Sequence, residues 1–200
     1  MPLDPQGGGT WILVAEDGEA ACLLNGAFVN HNRKPPYRKS RGRVIVEFFT
    51  YSNTEAFISQ YDFEQIEPFT LVKVIKGQNP TSLHELRWDG RQIHHHTFDP
   101  NTPKIWSSVT LYDEAMRAKR QQWFGQWLEK SPDFTTESIR HFHLQGGEGD
   151  PSVDFKMTRG EGLQTISLTC ISVSRGVAEV DYQSLINGQR QQAKLTLEAN

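Results

Sequence analysis

Short apolar runs separated by turn dipeptides dominate the pattern of this chain. Asp17-Gly18, Asp89-Gly90, Arg175-Gly176 and Asn187-Gly188 each lie between two such runs. These dipeptides readily adopt the positive φ that tight hairpin turns require, so each one predicts a pair of antiparallel strands. The predicted strands are a first hairpin within residues 10–25, then 69–75, 82–88, 91–98, 104–108, 163–173, 177–183 and 191–198.

Apolar residues at helical spacing predict four helices among these strands. In the first, over 41–51, Val44, Ile45, Phe48 and Phe49 fall on one face and Ser40 is the expected N-cap. The others are a short helix after Thr54, a long helix over 111–130 and a helix over 135–144 with Thr135 or Thr136 as cap. Hairpins and helices that are grouped, and do not strictly alternate, favour an α+β fold with antiparallel sheets.

Composition narrows the class of protein. A chain of 200 residues that is 36% hydrophobic predicts one soluble domain over residues 1–200. A net charge of −3 gives no bulk attraction to nucleic acid, and no apolar run approaches the ~20 residues that span a bilayer. Cys22 and Cys170 lie in apolar strand-like runs, which predicts buried thiols and a cytoplasmic location.

Several short motifs, in their order and spacing, resemble the NRDE family, which includes transport and Golgi organisation protein 2. The motifs are Gly8-Gly9-Thr10-Trp11, Leu24-Asn25-Gly26, Arg41-Gly42-Arg43, Ile105-Trp106-Ser107-Ser108 with Thr110-Leu111-Tyr112, and Arg159-Gly160 followed by Gln164-Thr165-Ile166-Ser167. The Asn-Arg-Asp-Glu tetrapeptide for which the family is named is absent, and no Cys follows Met1.

This resemblance implies the αββα sandwich of the N-terminal-nucleophile (Ntn) hydrolases, here with its first strands missing. It also implies that intact members cleave an amide-type bond with an amino-terminal Cys, whose own amine serves as the base. No catalytic nucleophile is identifiable in this chain, which is therefore expected to be inactive as such a hydrolase. The alternative is a non-catalytic binding or trafficking protein for a lipid- or haem-like small molecule.

The resemblance and the residue types together predict a ligand pocket. Asn25 is either an oxyanion donor or a residue that holds a turn. Ser107 and Ser108 are either ligand donors or caps of the following helix, and Arg159 is either a pocket guanidinium or a solvated loop residue. The complete set of pocket candidates, with two apolar walls, is Asn25, Ser107, Ser108, Arg159, Trp11 and Trp106.

The remaining candidates concern charge and metal binding. The segment 31–43 is basic and contains no acid, so Arg38, Arg41 and Arg43 are candidates for anion binding, with a solvated loop as the alternative. The run His94-His95-His96 alternates across a strand and no Cys pair completes a zinc site, so neither a metal nor a cofactor is predicted. The expected partners are a small-molecule ligand or substrate and a second copy of the chain, which would pair at an open sheet edge beside the first hairpin.

Overall fold

The computed structural model describes residues 2–3, 7–75, 81–130 and 133–197. It divides into a first unit, formed by residues up to 113 and the end of the chain from 196, and a second unit over 114–195. Each unit combines helices with one antiparallel sheet, so the predicted α+β class with antiparallel sheets is confirmed. None of the described helices is long and apolar enough to cross a membrane.

The sheet of the first unit has five antiparallel strands that follow one another in chain order. Two of its turns fall at predicted dipeptides, where Gly18 has φ 87° and Gly90 has φ 95°. The outermost strand on one side is β1, which places the first hairpin at an edge of the described sheet. The strands are β1 (Ile12–Val14), β2 (Ala20–Asn25), β3 (Phe69–Ile75), β4 (Ser82–Trp88) and β5 (Ile93–Phe98).

Two helices, α1 (Arg41–Phe48) and α2 (Thr54–Gln60), bury their apolar faces in the core of this unit. Ser40 caps α1 as predicted, because its hydroxyl accepts a hydrogen bond from the Gly42 amide at 3.3 Å. The helix ends at Phe48, three residues before the predicted end. The amides of residues 49–51 bond to carbonyls three residues back, which tightens the last turn. The central core residues are Val44, Ile45, Phe48, Phe57, Phe69, Leu71 and Leu86.

The second unit contains two helices and a three-stranded sheet. The helices are α3 (Glu114–Lys130) and α4 (Thr136–Gln145), and the Thr135 hydroxyl caps α4 by accepting from the Ser138 amide. The ring of Phe155 contacts the rings of both Trp123 and Phe142 in an aromatic cluster. The strands are β6 (Ser167–Ser174), β7 (Val177–Ser184) and β8 (Arg190–Thr196), with a short 3-10 turn at Gly160–Gly162 before them.

Three other predictions of element bounds are wrong. Residues 104–108 form no strand. Side-chain hydrogen bonds hold this segment in place of backbone pairing. The Trp106 indole donates to Glu85, and the Ser108 hydroxyl donates to the Asn25 carbonyl. The strand predicted from 163 begins at Ser167, and the long helix begins at Glu114 and not at 111. The predicted end of the last strand, residue 198, lies outside the described residues.

Candidate functional site

A cavity of about 440 Å³, here called the Asn25 cavity, lies within the first unit. It forms where the residues just before β1, the end of β2 and the amino terminus of α1 meet the segment 108–111. Polar and apolar side chains both contribute to its wall. The lining residues are Thr10, Trp11, Leu23, Leu24, Asn25, Ser40, Arg41, Gly42, Ser108 and Leu111.

A backbone contact between two glycines builds one side of the Asn25 cavity. The Thr10 amide donates to the Gly42 carbonyl at 3.0 Å, and a Cβ added to Gly9 would lie 2.1 Å from the Gly42 carbonyl carbon. Only glycine allows two backbones to approach this closely. The contact brings the segment Gly8–Trp11 against the start of α1, and so places Trp11 and Arg41 on the same cavity.

A second close approach joins the end of β2 to the segment 108–111. Gly26 has φ 83°, and a Cβ added there would lie 2.3 Å from Cγ2 of Val109. The Ser108 hydroxyl donates to the Asn25 carbonyl at 2.9 Å and lies 3.1 Å from Oγ1 of Thr110. The Ser108 proton is therefore engaged with the protein, so its hydroxyl can serve a ligand only as an acceptor.

Arg41 is held in place by a largely buried carboxylate. Its Nη2 lies 3.2 Å from Oε2 of Glu67, and its Nη1 donates to the Pro68 carbonyl at 3.3 Å. Burial lowers the pKa of the Arg41 guanidinium, and the charge of Glu67 opposes this shift. Two of the five guanidinium N–H groups have these partners, so Arg41 retains donors for a ligand.

The structure places the other pocket candidates elsewhere. The Trp106 indole donates to Oε2 of Glu85 at 2.6 Å, and Ser107 is half-buried but does not line the Asn25 cavity. Arg159 belongs to the second unit, where its Nε donates to the Ser152 carbonyl at 2.7 Å. The Asn25 cavity thus contains three of the six predicted pocket residues, namely Trp11, Asn25 and Ser108.

The other two anion-binding candidates are paired with acids. Arg38 Nη2 lies 3.1 Å from Oδ2 of Asp62, and Arg43 Nε lies 4.0 Å from Oε1 of Glu47. Both pairs are largely solvated and contribute little to stability. Asp62 and Glu47 lie outside the basic segment 31–43. A count of the charges within that segment alone therefore overstates the positive potential around it.

Sequence reasoning missed Glu67, the residue that organises this region. Its carboxylate lies within 3.3 Å of His31, Arg33 and Arg41, although its side chain is only 10% exposed. A single acid between Ile66 and Pro68 carries no local signal of this role. The sequence contains one hint of this role of Glu67. The acid lies between apolar residues, and the basic segment elsewhere in the chain contains possible partners for it.

Cys22 lies in β2 beside the cavity residues, but it is not a nucleophile of ordinary reactivity. Burial raises the pKa of its thiol to about 11, so almost none of it is thiolate at neutral pH. We expect iodoacetamide at pH 7.5 to leave Cys22 unmodified in the folded protein and to label it rapidly in urea, as measured by peptide mass spectrometry. Labelling in the folded protein at the rate of a free thiol would contradict this raised pKa of Cys22.

Comparison with known proteins agrees with the resemblance seen in the motifs. Residues 1–96 match the family described as Transport and Golgi organisation 2, and this match covers 96 of the 200 residues. It includes every residue of the Asn25 cavity except Ser108 and Leu111. No curated protein matches the chain. Over its first 96 residues, the chain is therefore similar to the Transport and Golgi organisation 2 family.

Proposed function

We propose that the Asn25 cavity is a binding site for a small amide- or acyl-type compound. The observation that carries this proposal is the convergence of the family-like motifs. Residues from Gly8–Trp11, Leu24–Gly26, Arg41–Arg43 and the segment 108–111 are distant in sequence, yet they line one cavity. A mostly apolar concavity with a few convergent polar groups is the usual make-up of a ligand site.

The polar groups suit a carbonyl or carboxylate. Within the described residues, the Asn25 side-chain amide has no hydrogen-bond partner, whereas its backbone carbonyl accepts from Ser108. Its two N–H groups can donate to a ligand oxygen, and the remaining donors of Arg41 reinforce them. The Ser108 oxygen can accept from a ligand N–H. This combination of donors and an acceptor matches an amide group.

The apolar residues suit an acyl chain. Trp11, Leu23, Leu24 and Leu111 contribute the hydrophobic part of the lining, and Trp11 is 37% exposed. Among the lining residues there is no His, Cys, Met or Tyr, which are the side chains that hold haem iron. The composition of the cavity therefore favours an acyl compound over the haem-like ligand that the family resemblance also suggests.

The same donors would suit an Ntn-hydrolase-like site, in which Asn25 would stabilise an oxyanion. No thiol is among the residues that line the Asn25 cavity, and the hydroxyls of Thr10, Ser40 and Ser108 have no imidazole in that lining to act as a base. We therefore propose recognition of an amide-type compound without turnover by this chain. The free thiols of Cys22 and Cys170 support a cytoplasmic location as part of the proposal.

Replacing Asn25 by alanine is expected to weaken binding of a probe, N-hexanoylglycine, by about three- to tenfold, the effect of one or two neutral hydrogen bonds. Isothermal titration calorimetry on the full chain measures this change. The matched control is Asn30→Ala, which removes the same side chain from an exposed position. Equal affinities of the wild type and both variants would contradict the proposed role of Asn25, and hydrolysis of the probe would contradict binding without turnover.

A further inference from the structure

We propose that a second cavity of the first unit binds an organic anion, namely a carboxylate or phosphate ester carried on an apolar body. This cavity, here called the Trp88 cavity, has a volume of about 530 Å³. It shares no lining residue with the Asn25 cavity, so the inference is independent of the function proposed above. Its lining residues include His31, Lys34, Tyr37, Trp88 and Arg91.

Two cations line the Trp88 cavity without a carboxylate partner in the described part of the chain. Neither Lys34 nor Arg91 forms an ion pair there. The neighbouring cations of the basic segment differ, since Arg33 and Arg41 both pair with Glu67 and Lys39 pairs with Glu47. Two cations without an ion-pair partner on one concave surface can each form a charge-assisted contact with an anion.

His31 contributes a fixed imidazole ring to the cavity wall. Its Nε2 lies 3.1 Å from Oε1 of Glu67, which fixes the ring. Its Nδ1 is buried and has no hydrogen-bond partner within the described residues, so this atom is not exposed to the cavity.

Two aromatic rings contribute to the lining. Trp88 is 8% exposed and its indole donates to the Ile66 carbonyl at 2.9 Å, so its contribution to ligand binding is apolar. The Tyr37 hydroxyl accepts from the Lys34 amide at 2.7 Å and retains its own proton, which it can donate to an anion. The prolines at positions 36 and 68 extend the apolar part of the lining.

The lining also contains two acids, Asp89 and Glu64, whose charges offset those of Lys34 and Arg91. The carboxylate of Asp89 accepts from the Arg91 and Gln92 amides through one oxygen and lies 2.8 Å from Nε2 of His94 through the other. Glu64 is exposed, and its carboxylate opposes an anion. Glu64→Gln is therefore expected to strengthen anion binding about two- to threefold, the effect of one solvated like charge.

Calorimetric titration of the full chain with phenylacetate, phenyl phosphate and the neutral phenylacetamide tests this inference. We expect at least one anion to bind at least tenfold more tightly than phenylacetamide. The tighter of the two identifies the ligand's anionic group as a carboxylate or a phosphate. The double variant Lys34→Ala/Arg91→Ala is expected to bind the anions at least tenfold more weakly than the wild type, because charge-assisted hydrogen bonds are stronger than neutral ones. Both residues are exposed, so the fold should be retained, which circular dichroism checks.

Two control variants establish whether the anions bind at the Trp88 cavity. Lys156→Ala removes an exposed positive charge from the second unit and should leave the affinity for the anions unchanged. Asn25→Ala should also leave it unchanged, because Asn25 lies in the other cavity. The inference is overturned if neither anion binds at millimolar concentration, or if the anions bind the double variant as tightly as the wild type.

Discussion

Replacing Gly9 by alanine is expected to lower the free energy of unfolding of the first unit by about 3 kcal/mol or more. A Cβ at this position would lie 2.1 Å from the carbonyl carbon of Gly42 and 2.3 Å from its oxygen. Both obstructing atoms belong to the backbone, so no side-chain rotation relieves the clash, and the cost exceeds that of ordinary overpacking in a core. Urea unfolding followed by circular dichroism measures the loss.

Two glycines provide controls for this prediction. A Cβ on Gly8 meets no atom within 4 Å, so Gly8→Ala should cost only about 1 kcal/mol, the strain of an alanine at φ 62°. Gly125 lies inside α3 with open space around it, and Gly125→Ala should raise stability by about 0.5–1 kcal/mol. If Gly9→Ala were no more destabilising than Gly8→Ala, the close approach of the two backbones would be wrong, and with it the wall of the Asn25 cavity.

Glu67→Gln is expected to lower the free energy of unfolding by about 2–4 kcal/mol. The carboxylate lies within 3.3 Å of His31, Arg33 and Arg41, and its side chain is 10% exposed. Burial already disfavours the charge of Arg41, and Glu67 offsets this effect. Removing one partner of a buried ion pair leaves the charge of the other partner uncompensated, and this lowers stability strongly. Thermal and urea unfolding both measure this loss.

Glu64→Gln is the matched control, because it makes the same chemical change three residues earlier at an exposed position. Its effect on stability should be below about 0.5 kcal/mol. Equal effects of the two substitutions would show that Glu67 does not organise the basic segment. The comparison also bears on both proposed sites, since Glu67 contacts His31 of the Trp88 cavity and Arg41 of the Asn25 cavity.

Local chemistry determines which parts of the fold can be predicted. Strands β3 and β4 have the predicted bounds, and hairpin turns fall at Asp17-Gly18 and Asp89-Gly90. The caps of α1 and α4 are Ser40 and Thr135, as expected. Turn geometry and capping depend on a few consecutive residues, so the sequence expresses them directly. The strand prediction for 104–108 is wrong because distant partners, Glu85 and Asn25, determine the conformation of this segment.

The candidate sites divide in the same way. Motif order alone indicated the family and singled out Trp11, Asn25 and Ser108, which the structure brings to one cavity. Only the tertiary structure revealed why Gly9 must be a glycine, since the requirement is a contact with the backbone of Gly42, 33 positions away in the chain. It also revealed Glu67, which pairs with cations far from it in sequence, and the lack of an acidic partner for Lys34 and Arg91 among the described residues. Charge pairing and close approach depend on distances in space, which the order of residues does not record.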